Sequence, residues 1–363
     1  MQQINKRLMN WASILEDQTR QQAVMASGMP FIFPHIALMP DAHLGKGATV
    51  GSVIPTLGAI IPAAVGVDIG CGMMAIRTQF HGAELTGDRQ RLHAAIAAAI
   101  PLSAGKYNTS LRAAHTQDRV HELEQLPGVD QAEQIAPNWR LQLGSLGSGN
   151  HFIEVSLDEQ DRVWLFLHSG SRGVGNKLAG KHISIARQQC ERRWIQLPDP
   201  DLAYLVEGEP EFESYLAALR WAQHFALLNR AEMMDRVVTS FQDWHGEPIE
   251  ASEVVNCHHN YTEREKHFGK QVWLSRKGAI SAKAGEPGLI PGSMGTASYV
   301  VAGLGNQLSL CSSPHGAGRN HSRAAARRLF NRADLDQRMH GIAWGAPTRS
   351  STSTPRRTRT STR

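Results

Sequence analysis

A long uncharged segment constrains the fold more than any other feature of the sequence. Residues 47–67, GATVGSVIPTLGAIIPAAVGV, are long enough to cross a bilayer as a helix. Pro55, Pro62 and the four glycines of this segment would break such a helix repeatedly, and the β-branched residues favour short buried strands joined by tight turns. The first residues, MQQINKRLMNWASILEDQ, contain no apolar region followed by a cleavage site. We therefore expect no membrane contact and a cytoplasmic location.

Charge and cysteine content narrow the class of protein further. The net charge of +5 comes entirely from residues 346–363, which contain five arginines and no acidic residue. Any nucleic-acid-binding surface must therefore be a local patch on a neutral body. The four cysteines are far apart and form no C-x-x-C motif, which is typical of reduced thiols in a cytosolic protein.

The pattern of apolar residues predicts alternating groups of helices and strands. We expect an amphipathic helix over the first 27 residues, ending at Gly28, and short strands and turns over residues 31–78. The remaining predictions are helices over 87–100 and 211–240, a hairpin of strands 151–157 and 162–168, and strands over 271–282 and 298–304. Together they indicate one compact mixed α/β (α+β) domain over residues 1–345, with a disordered Ser/Thr/Arg-rich tail over 346–363.

Several of the histidines stand beside glycine at the ends of apolar runs. A strand end is rigid and open to a cleft, as a metal ligand or a catalytic group requires. The histidines in such positions are His43, His151, His168, His258, His259 and His315.

Asp68 and Cys71 lie three residues apart in the motif VGVDIGCGM. A thiolate can bridge two divalent cations, a carboxylate can hold one of them, and imidazoles can complete both coordination spheres. Alternatively, Cys71 is a small buried residue and Asp68 forms a turn next to Gly70 and Gly72. The spacing alone leaves both interpretations open.

The motif HGAGR, residues 315–319, suggests a second kind of chemistry. Its glycines would let backbone N–H groups approach a phosphate, while a neutral ring nitrogen of His315 could attack a nucleoside triphosphate. A covalent histidine–nucleotide intermediate would divide one difficult step into two easier ones. The motif is weak by itself, because glycine-rich turns often contain a histidine by chance.

Eight motifs taken together resemble the RtcB family of GTP-dependent RNA ligases. In chain order they are MPDAHLGKGATVGSVIP, AAVGVDIGCGM, LGSLGSGNHFIE, HSGSRGVGN, NCHHNY, RKGAISA, PGSMGTASY and SSPHGAGR, within residues 29–330. The resemblance implies a single RtcB-like domain whose cleft holds two Mn²⁺ ions. It also implies that Cys71 bridges both ions, with His151 and His168 completing one site and Asp68 and His259 the other. Ligand softness alone would have favoured zinc.

The resemblance also implies the reaction and its site. The family joins RNA 2′,3′-cyclic phosphate or 3′-phosphate ends to 5′-hydroxyl ends, in tRNA splicing or RNA repair. By resemblance, His315 takes GMP from GTP with loss of pyrophosphate, the guanylate passes to the RNA 3′-phosphate, and the 5′-hydroxyl displaces GMP. A cyclic phosphate is first opened by hydrolysis. The implied nucleotide-binding residues are Asn150, His151, Phe152, Ile153, Glu154, His259, Asn260, Pro291, Gly292, Ser293, Met294, Ser298, His315, Gly316, Ala317 and Gly318.

The motifs also assign roles to further residues, and each of these residues has a non-functional alternative. Asp41 would orient His315 or tune its ring, although it could also be a turn residue after Pro40. Four cationic side chains would contact RNA phosphates or else be solvated surface charges: Arg172, Arg276, Lys277 and Arg319.

The carboxyl-terminal region departs from the family pattern. Family members finish with a lysine that reaches the guanylate, and residues 346–363 contain no counterpart. We expect this segment to reflect truncation or an out-of-frame reading, which coding-DNA sequencing would test. Two alternatives to an active ligase follow: a non-ligating protein that binds metal and RNA ends, and a metal-dependent phosphodiesterase that only opens cyclic phosphates. An archease-like activator is a further expected partner.

Overall fold

The computed structural model describes residues 1–102, 104–111, 113–316, 318 and 328–345. The predicted tail over 346–363 lies outside the described residues, as do two residues assigned by motif, Ala317 and Arg319.

Strands and helices occur in groups along the described chain. The strands are β1 (Gln2–Asn5), β2 (Leu8–Asn10), β3 (Ile36–His43), β4 (Val50–Thr56), β5 (Ala59–Ile60), β6 (Gly72–His81), β7 (Phe152–Leu157), β8 (Arg162–Ser169), β9 (Leu205–Val206), β10 (Glu253–His258), β11 (Asn260–His267), β12 (Lys270–Lys277), β13 (Ala279–Ser281), β14 (Pro287–Ile290), β15 (Tyr299–Ala302) and β16 (Ser312–Pro314). The α-helices are α1 (Asp17–Ser27), α2 (Pro62–Val65), α3 (Arg89–Ala99), α4 (Ala114–Glu124), α5 (Val129–Ile135), α6 (Trp139–Gln142), α7 (Arg172–Arg192), α8 (Pro210–His245) and a final helix, Arg332–Arg338. Short 3₁₀ helices cover Gly82–Glu84 and Pro200–Leu202.

Two sheets organise the molecule. The larger has the strand order β1-β2-β3-β4-β12-β11, and the smaller has the order β10-β6-β8-β7. All pairings in the smaller sheet are antiparallel, with Gly72 opposite both Ser169 and His258, and His168 opposite Phe152. The starts of β6 and β7 and the ends of β8 and β10 therefore lie at the same end of this sheet. Three two-stranded sheets, β13-β16, β14-β15 and β5-β9, complete the architecture.

Helix α8 is the central support of the smaller sheet. It begins with Pro210 in the first turn and acidic side chains that complement the helix dipole, and it ends at Gly246, whose φ of 96° suits a left-handed cap. Its apolar side chains, including Trp221, Phe225 and Phe241, are fully buried in clusters shared with α3, α7 and the sheet. Burying several aromatic side chains contributes about 1.5–3 kcal/mol each, so the helix is held by tertiary packing.

The predicted mixed α/β fold class is confirmed, and so are the hairpin, the helices within 87–100 and 211–240, and the strands within 271–282 and 298–304. The predicted helix over the first 27 residues is wrong in its first half. Leu8 lies in β2, which pairs in parallel with β3, and only Asp17–Ser27 is helical before Gly28. Pairing with a distant strand overrode the local helical spacing.

The uncharged segment 47–67 forms short buried elements, as its composition predicted. It contributes β4, β5 and the four-residue helix α2, all largely buried. Within the part of the chain that the structure describes, no helix has the length and apolar character needed to span a membrane.

Candidate metal centre and nucleotide cleft

Four side chains that can donate to a metal converge at one end of the β10-β6-β8-β7 sheet. Cys71 immediately precedes β6, and His168 lies next to the last residue of β8. His259 immediately follows β10, and His151 immediately precedes β7. Because the strands are antiparallel, these positions far apart in sequence meet at one edge. The topology thus brings three of the histidines that lie beside glycine at strand ends, His151, His168 and His259, to one edge of the sheet.

The turn that carries Asp68 and Cys71 fits closely against α8. Gly70 has a φ of +69°, and a Cβ there would lie 2.8 Å from Cβ of Ala226 and from Cα of Gln223. Its N–H donates to the carbonyl of Asn260 at 2.6 Å. Glycine is required at this position both by the left-handed backbone and by the absence of space for a side chain.

The donor atoms fall into two groups that share one thiol. Cys71 Sγ lies 3.3 Å from Nε2 of both His151 and His168. Nε2 of His168 lies 2.8 Å from Nε2 of His259, and Nε2 of His151 lies 3.1 Å from Oδ2 of Asp68. One group is Cys71, His168 and His259, and the other is Asp68, Cys71 and His151. This grouping differs from the one that the resemblance implies, His151 with His168 and Asp68 with His259, because Nε2 of His168 faces His259.

The tautomers of two histidines make this donor set suitable for a cation. Nδ1 of His168 lies 3.1 Å from the Asn150 carbonyl, and Nδ1 of His259 lies 3.2 Å from Oδ1 of Asn260. Each Nδ1–H donates to its oxygen, so each Nε2 presents a lone pair toward the other ring and toward Cys71. Unprotonated nitrogens converging on a thiol are a ligand set that a bound cation would satisfy.

Burial controls the protonation of these groups. It lowers the pKa of His168 and His259 well below 6.5, and neighbouring imidazoles lower both further. Burial would raise the pKa of Asp68, but the hydrogen bond and charge of His151 outweigh it and lower that pKa to about 2. Burial and the nearby Asp68 carboxylate raise the pKa of the Cys71 thiol well above 9.0. A cation must therefore displace a proton from Cys71, whereas the imidazoles and the carboxylate are ready to bind.

His315 and Asp41 lie beside the donor groups. Nδ1 of His315 is 2.8 Å from Oδ2 of the buried Asp41, an ion-pair contact whose angles are not those of a hydrogen bond. The His315 ring is 4.6 Å from the His259 ring, centroid to centroid, and a Cβ at Gly278 would lie 3.0 Å from its Cε1. Gly318, with φ +75°, leaves room for Asp41, whose Cβ would be 3.4 Å from an added Cβ. The predicted pairing of His315 with Asp41 is thus present as a contact.

Three of the implied nucleotide-binding residues, Glu154, Ser298 and Gly292, form a wall that links β7 to the segment after β14. Ser298 Oγ donates to Oε1 of Glu154 at 2.9 Å and accepts the N–H of Gly292 at 3.4 Å. The carbonyl of Pro291 faces Gly316, where an added Cβ would lie 3.8 Å away. Burial raises the pKa of Glu154 despite the hydrogen bond from Ser298.

Not all of the implied residues direct side chains to this wall. Phe152 stacks on Phe166 at 5.7 Å and packs in the cluster beneath β14, whereas Ile153 packs on the opposite face of the sheet, against the α3–α8 core. This follows from the alternation of side chains along a strand. Ser293 and Met294 lie in an exposed turn in which Ser293 N–H donates to Thr296 Oγ1 at 2.7 Å.

The cations assigned by motif to RNA differ sharply in exposure. Arg276 is fully buried and its Nη1 lies 2.5 Å from Oε1 of Glu265, while Lys277 is buried with its ammonium donating to two backbone carbonyls. Both residues are buried against protein groups, so they are neither RNA contacts nor solvated surface charges. Both expectations are wrong for Arg276 and Lys277. Arg172 reaches the site, with Nη1 3.0 Å from Nδ1 of His151. The expectation for Arg319 falls outside the described residues.

A third group of donors, His115, Glu232 and Asp235, lies on the far side of α8. Its carboxylates are already paired, because Arg119 bonds to Glu232 at 2.6 Å and to Asp235 at 2.7 Å. The protein itself neutralises the carboxylates of this third group, which distinguishes it from the donor groups at the sheet end.

A family model described as "tRNA-splicing ligase RtcB" matches residues 22–355. The RNA-splicing ligase RtcB of Escherichia coli is 48% identical over 337 residues, which cover 88% of this chain and 82% of that relative. The chain belongs to the RtcB family. The tRNA-splicing ligase RtcB of Thermococcus kodakarensis is more distant, with 31% identity over 87% of this chain and 79% of the relative. The predicted RtcB membership is confirmed, and the chain is a ligase.

Sequence reasoning missed two polar residues of this RtcB chain that lie under the site. Asn229 and Arg230, neighbours in α8, are both fully buried. Asn229 Oδ1 accepts the N–H of Gly144 at 2.8 Å, and its Nδ2 donates to the carbonyl of Gly170 at 3.1 Å. The signal in the sequence is a polar pair inside the apolar run FALLNRAEMM, since such residues are seldom buried without specific partners.

Proposed function

We propose that the chain joins RNA 2′,3′-cyclic phosphate or 3′-phosphate ends to 5′-hydroxyl ends through guanylylation of His315 by GTP. The proposal rests on one observation: His315 lies against both the donor groups and Asp41. Its ring lies 4.6 Å from that of His259 in the donor groups, and its Nδ1 lies 2.8 Å from Asp41. A nucleophile and a metal centre placed side by side suit phosphoryl and nucleotidyl transfer.

The proposed nucleophile is Nε2 of His315. With Nδ1 held at Oδ2 of Asp41, the free lone pair of Nε2 attacks the α-phosphorus of GTP, the P–O bond to pyrophosphate breaks, and pyrophosphate leaves. Asp41 stabilises the positive charge that forms on the ring. The guanylate then passes from His315 to the RNA 3′-phosphate, and the 5′-hydroxyl displaces GMP.

Two divalent cations, proposed to be Mn²⁺, would be held by the two donor groups that share Cys71. Bound there, they would neutralise phosphate charge, orient in-line attack and activate a water or hydroxyl. Support comes from the neutral imidazoles and the ionised Asp68 that face this space. Manganese rather than zinc rests on the family resemblance.

The guanine base is proposed to bind along the wall formed by Glu154, Ser298 and Gly292. A carboxylate is an acceptor that matches the N–H donors on one edge of guanine. Glu154 already accepts from Ser298 at 2.9 Å, which fixes the orientation of its carboxylate.

The test is covalent labelling of the purified chain with GTP carrying ³²P at the α-phosphate, in the presence of Mn²⁺. We expect acid-labile label that disappears in His315→Ala and persists in His121→Ala, a matched substitution of an exposed histidine in α4. Label that survives in His315→Ala would contradict the proposed nucleophile. No label in the wild-type chain that still binds Mn²⁺ would favour the non-ligating alternative.

A phosphodiesterase that only opens cyclic phosphates is a second candidate, because both donor groups are complete without His315. It predicts that His315→Ala still hydrolyses RNA 2′,3′-cyclic phosphate ends while all joining is lost. Equal loss of both activities in His315→Ala would count against it.

The remaining assignments extend the same proposal. The ligase domain is proposed to be residues 1–345, the location cytoplasmic, and the substrates RNA ends from tRNA splicing or repair. An archease-like protein is the proposed activator. Multiple-turnover ligation that is faster when such a protein is added would support that partner, and an unchanged rate would argue against it.

A further inference from the structure

Arg230 is a buried cation directly behind the donor groups. It projects from α8 and is fully buried. Its Nη1 donates to the carbonyl of Gly70 at 2.8 Å and, less closely, to that of Ser169 at 3.3 Å. Its Nε donates to Oδ1 of Asn256 at 2.7 Å. One rigid guanidinium therefore joins three segments that are far apart in the sequence.

The groups that Arg230 contacts are next to metal donors along the chain. Nη2 of Arg230 also lies 3.2 Å from Nδ1 of His258. Three of the contacted residues have a member of one donor group as their direct neighbour: Gly70 precedes Cys71, Ser169 follows His168, and His258 precedes His259. The guanidinium thus meets the ends of β8 and β10 and the turn before β6. Moving any of these anchors would move the adjacent donor.

His258 reinforces the same arrangement. Its Nδ1–H donates to the Gly70 carbonyl at 2.8 Å, so that carbonyl accepts from both His258 and Arg230. His258 faces α8 while its neighbour His259 faces the cleft. His258 anchors the turn, whereas His259 presents a nitrogen to the donor group.

The charge of Arg230 lacks the usual partner. Among the described residues no carboxylate forms an ion pair with it, and its donors bind two carbonyls and an amide oxygen. Burying an unpaired cation is unfavourable unless nearby anions compensate. The ionised Asp68 at the cleft acts electrostatically on Arg230, and Cys71 would add a second negative charge once its thiol loses its proton. Arg230 is therefore placed to stabilise the negative charge of Asp68 and of a Cys71 thiolate.

We propose that Arg230 is a positioning residue, whose forked guanidinium holds the three strand ends at the separation that the Cys71, His168 and His259 donors need to bind a divalent cation. The inference rests on the metal centre of the proposed function. It assigns no contact between Arg230 and substrate.

The decisive substitution is Arg230→Lys, which keeps the charge but removes the fork. Lysine offers a single ammonium and cannot span Gly70, Ser169 and Asn256 together. We expect Mn²⁺ affinity to fall by about 10–100-fold, as is usual when groups that orient metal ligands are removed. Arg230→Met, which also removes the charge, should lose at least as much. Arg276→Met is the matched control, because Arg276 is also a fully buried arginine and its partners Glu265 and Ser312 belong to no donor group.

The measurement is Mn²⁺ binding to each full-length chain, followed through the electron paramagnetic resonance signal of free Mn²⁺, with thermal unfolding recorded in parallel. Weakened binding in a folded Arg230→Lys chain, beside wild-type binding in a destabilised Arg276→Met chain, supports positioning. Wild-type affinity in Arg230→Lys overturns the inference, even if Arg230→Met fails to fold. A wild-type chain that binds no Mn²⁺ refutes the metal centre itself and this inference with it.

Discussion

Two polar clusters in this molecule contain similar residue types but differ in whether their charged groups are paired within the protein. The donor cluster, at the end of the smaller sheet, consists of Asp68, Cys71, His151, His168 and His259. The Glu265 cluster consists of Glu265, His267 and Arg276 in the larger sheet and Ser312 in β16. In the Glu265 cluster both carboxylate oxygens are taken, one by Arg276 at 2.5 Å and the other by His267 at 3.1 Å. The donor cluster instead directs unprotonated nitrogens and a thiol toward one another.

The arginines beside the two clusters show the same contrast. Burial lowers the pKa of Arg230 to about 10, which leaves it protonated at neutral pH without a carboxylate contact among the described residues. The pKa of Arg276 is raised, because Tyr261 and Glu265 outweigh the effect of its burial. A buried cluster whose carboxylate is paired with its own cation serves the fold, whereas one that leaves converging lone pairs is suited to a ligand.

The largest expected effect is the loss of the shared donor. In Cys71→Ala both groups lose a ligand, so we expect ligation to fall by about a thousandfold or more, the scale seen when an electrostatic catalytic group is removed. Asp68→Ala should impair only its own group, leaving one Mn²⁺ per chain. Ligation of a cyclic-phosphate RNA and a count of bound Mn²⁺ test this. Cys190→Ala, a buried free thiol in α7, is the control and should retain both properties.

Breaking the Glu265 cluster should affect stability and not metal binding. Arg276→Met leaves a buried carboxylate without its cation, which typically costs about 3–5 kcal/mol in the free energy of unfolding. Denaturant unfolding would measure the cost, and Mn²⁺ titration of the folded chain should match the wild type. A tenfold or greater loss of Mn²⁺ affinity would show that the two clusters are not separable.

Acid should weaken the Glu265 cluster in a defined window. The folded-state pKa of Glu265 is lowered to about 2 from 4.5: burial would raise it, but the hydrogen bond from His267 and the charge of Arg276 outweigh burial. Its contribution is therefore complete above pH 4.5 and is lost as pH falls through about 2, to a total of about 3 kcal/mol.

Urea unfolding of the wild type and Glu265→Gln between pH 5 and 3 tests this dependence. The variant should be less stable at pH 5 and should lose less stability on acidification, by up to about 1.4 kcal/mol per pH unit. Parallel pH profiles would indicate that Glu265 has an ordinary pKa in the folded chain.

The smallest expected effect comes from a neutral partner of the Glu265 cluster. Ser312 Oγ accepts from Nε of Arg276 at 2.9 Å, so Ser312→Ala should cost about 1.5 kcal/mol, the value typical of a hydrogen bond to a charged group. Thermal unfolding measures it. No change in stability would mean that Ser312 adds nothing to the ion pair of Arg276 with Glu265.

Much of the secondary structure was predictable where the local pattern was strong. The β7–β8 hairpin alternates around a short acidic turn, and α8 has a long apolar run between proline and glycine. Helix α7 was missed because glycines at 173, 175 and 180 lower its intrinsic helix propensity, and it is held by packing on α8. The predicted amino-terminal helix failed for the converse reason, since β2 is stabilised by pairing with β3.

By itself the sequence determined the family and the chemical inventory: the thiol, the carboxylates and the glycine-flanked histidines, all readable from short motifs. Only the tertiary structure decided how the donors are grouped, that Arg276 and Lys277 are buried, and that Arg230 lies behind the site. The reason is that local pattern governs a residue's own backbone and which face of a strand it occupies. Which distant strand ends meet, and which charges lose contact with water, depends on sheet order and helix packing across the whole chain.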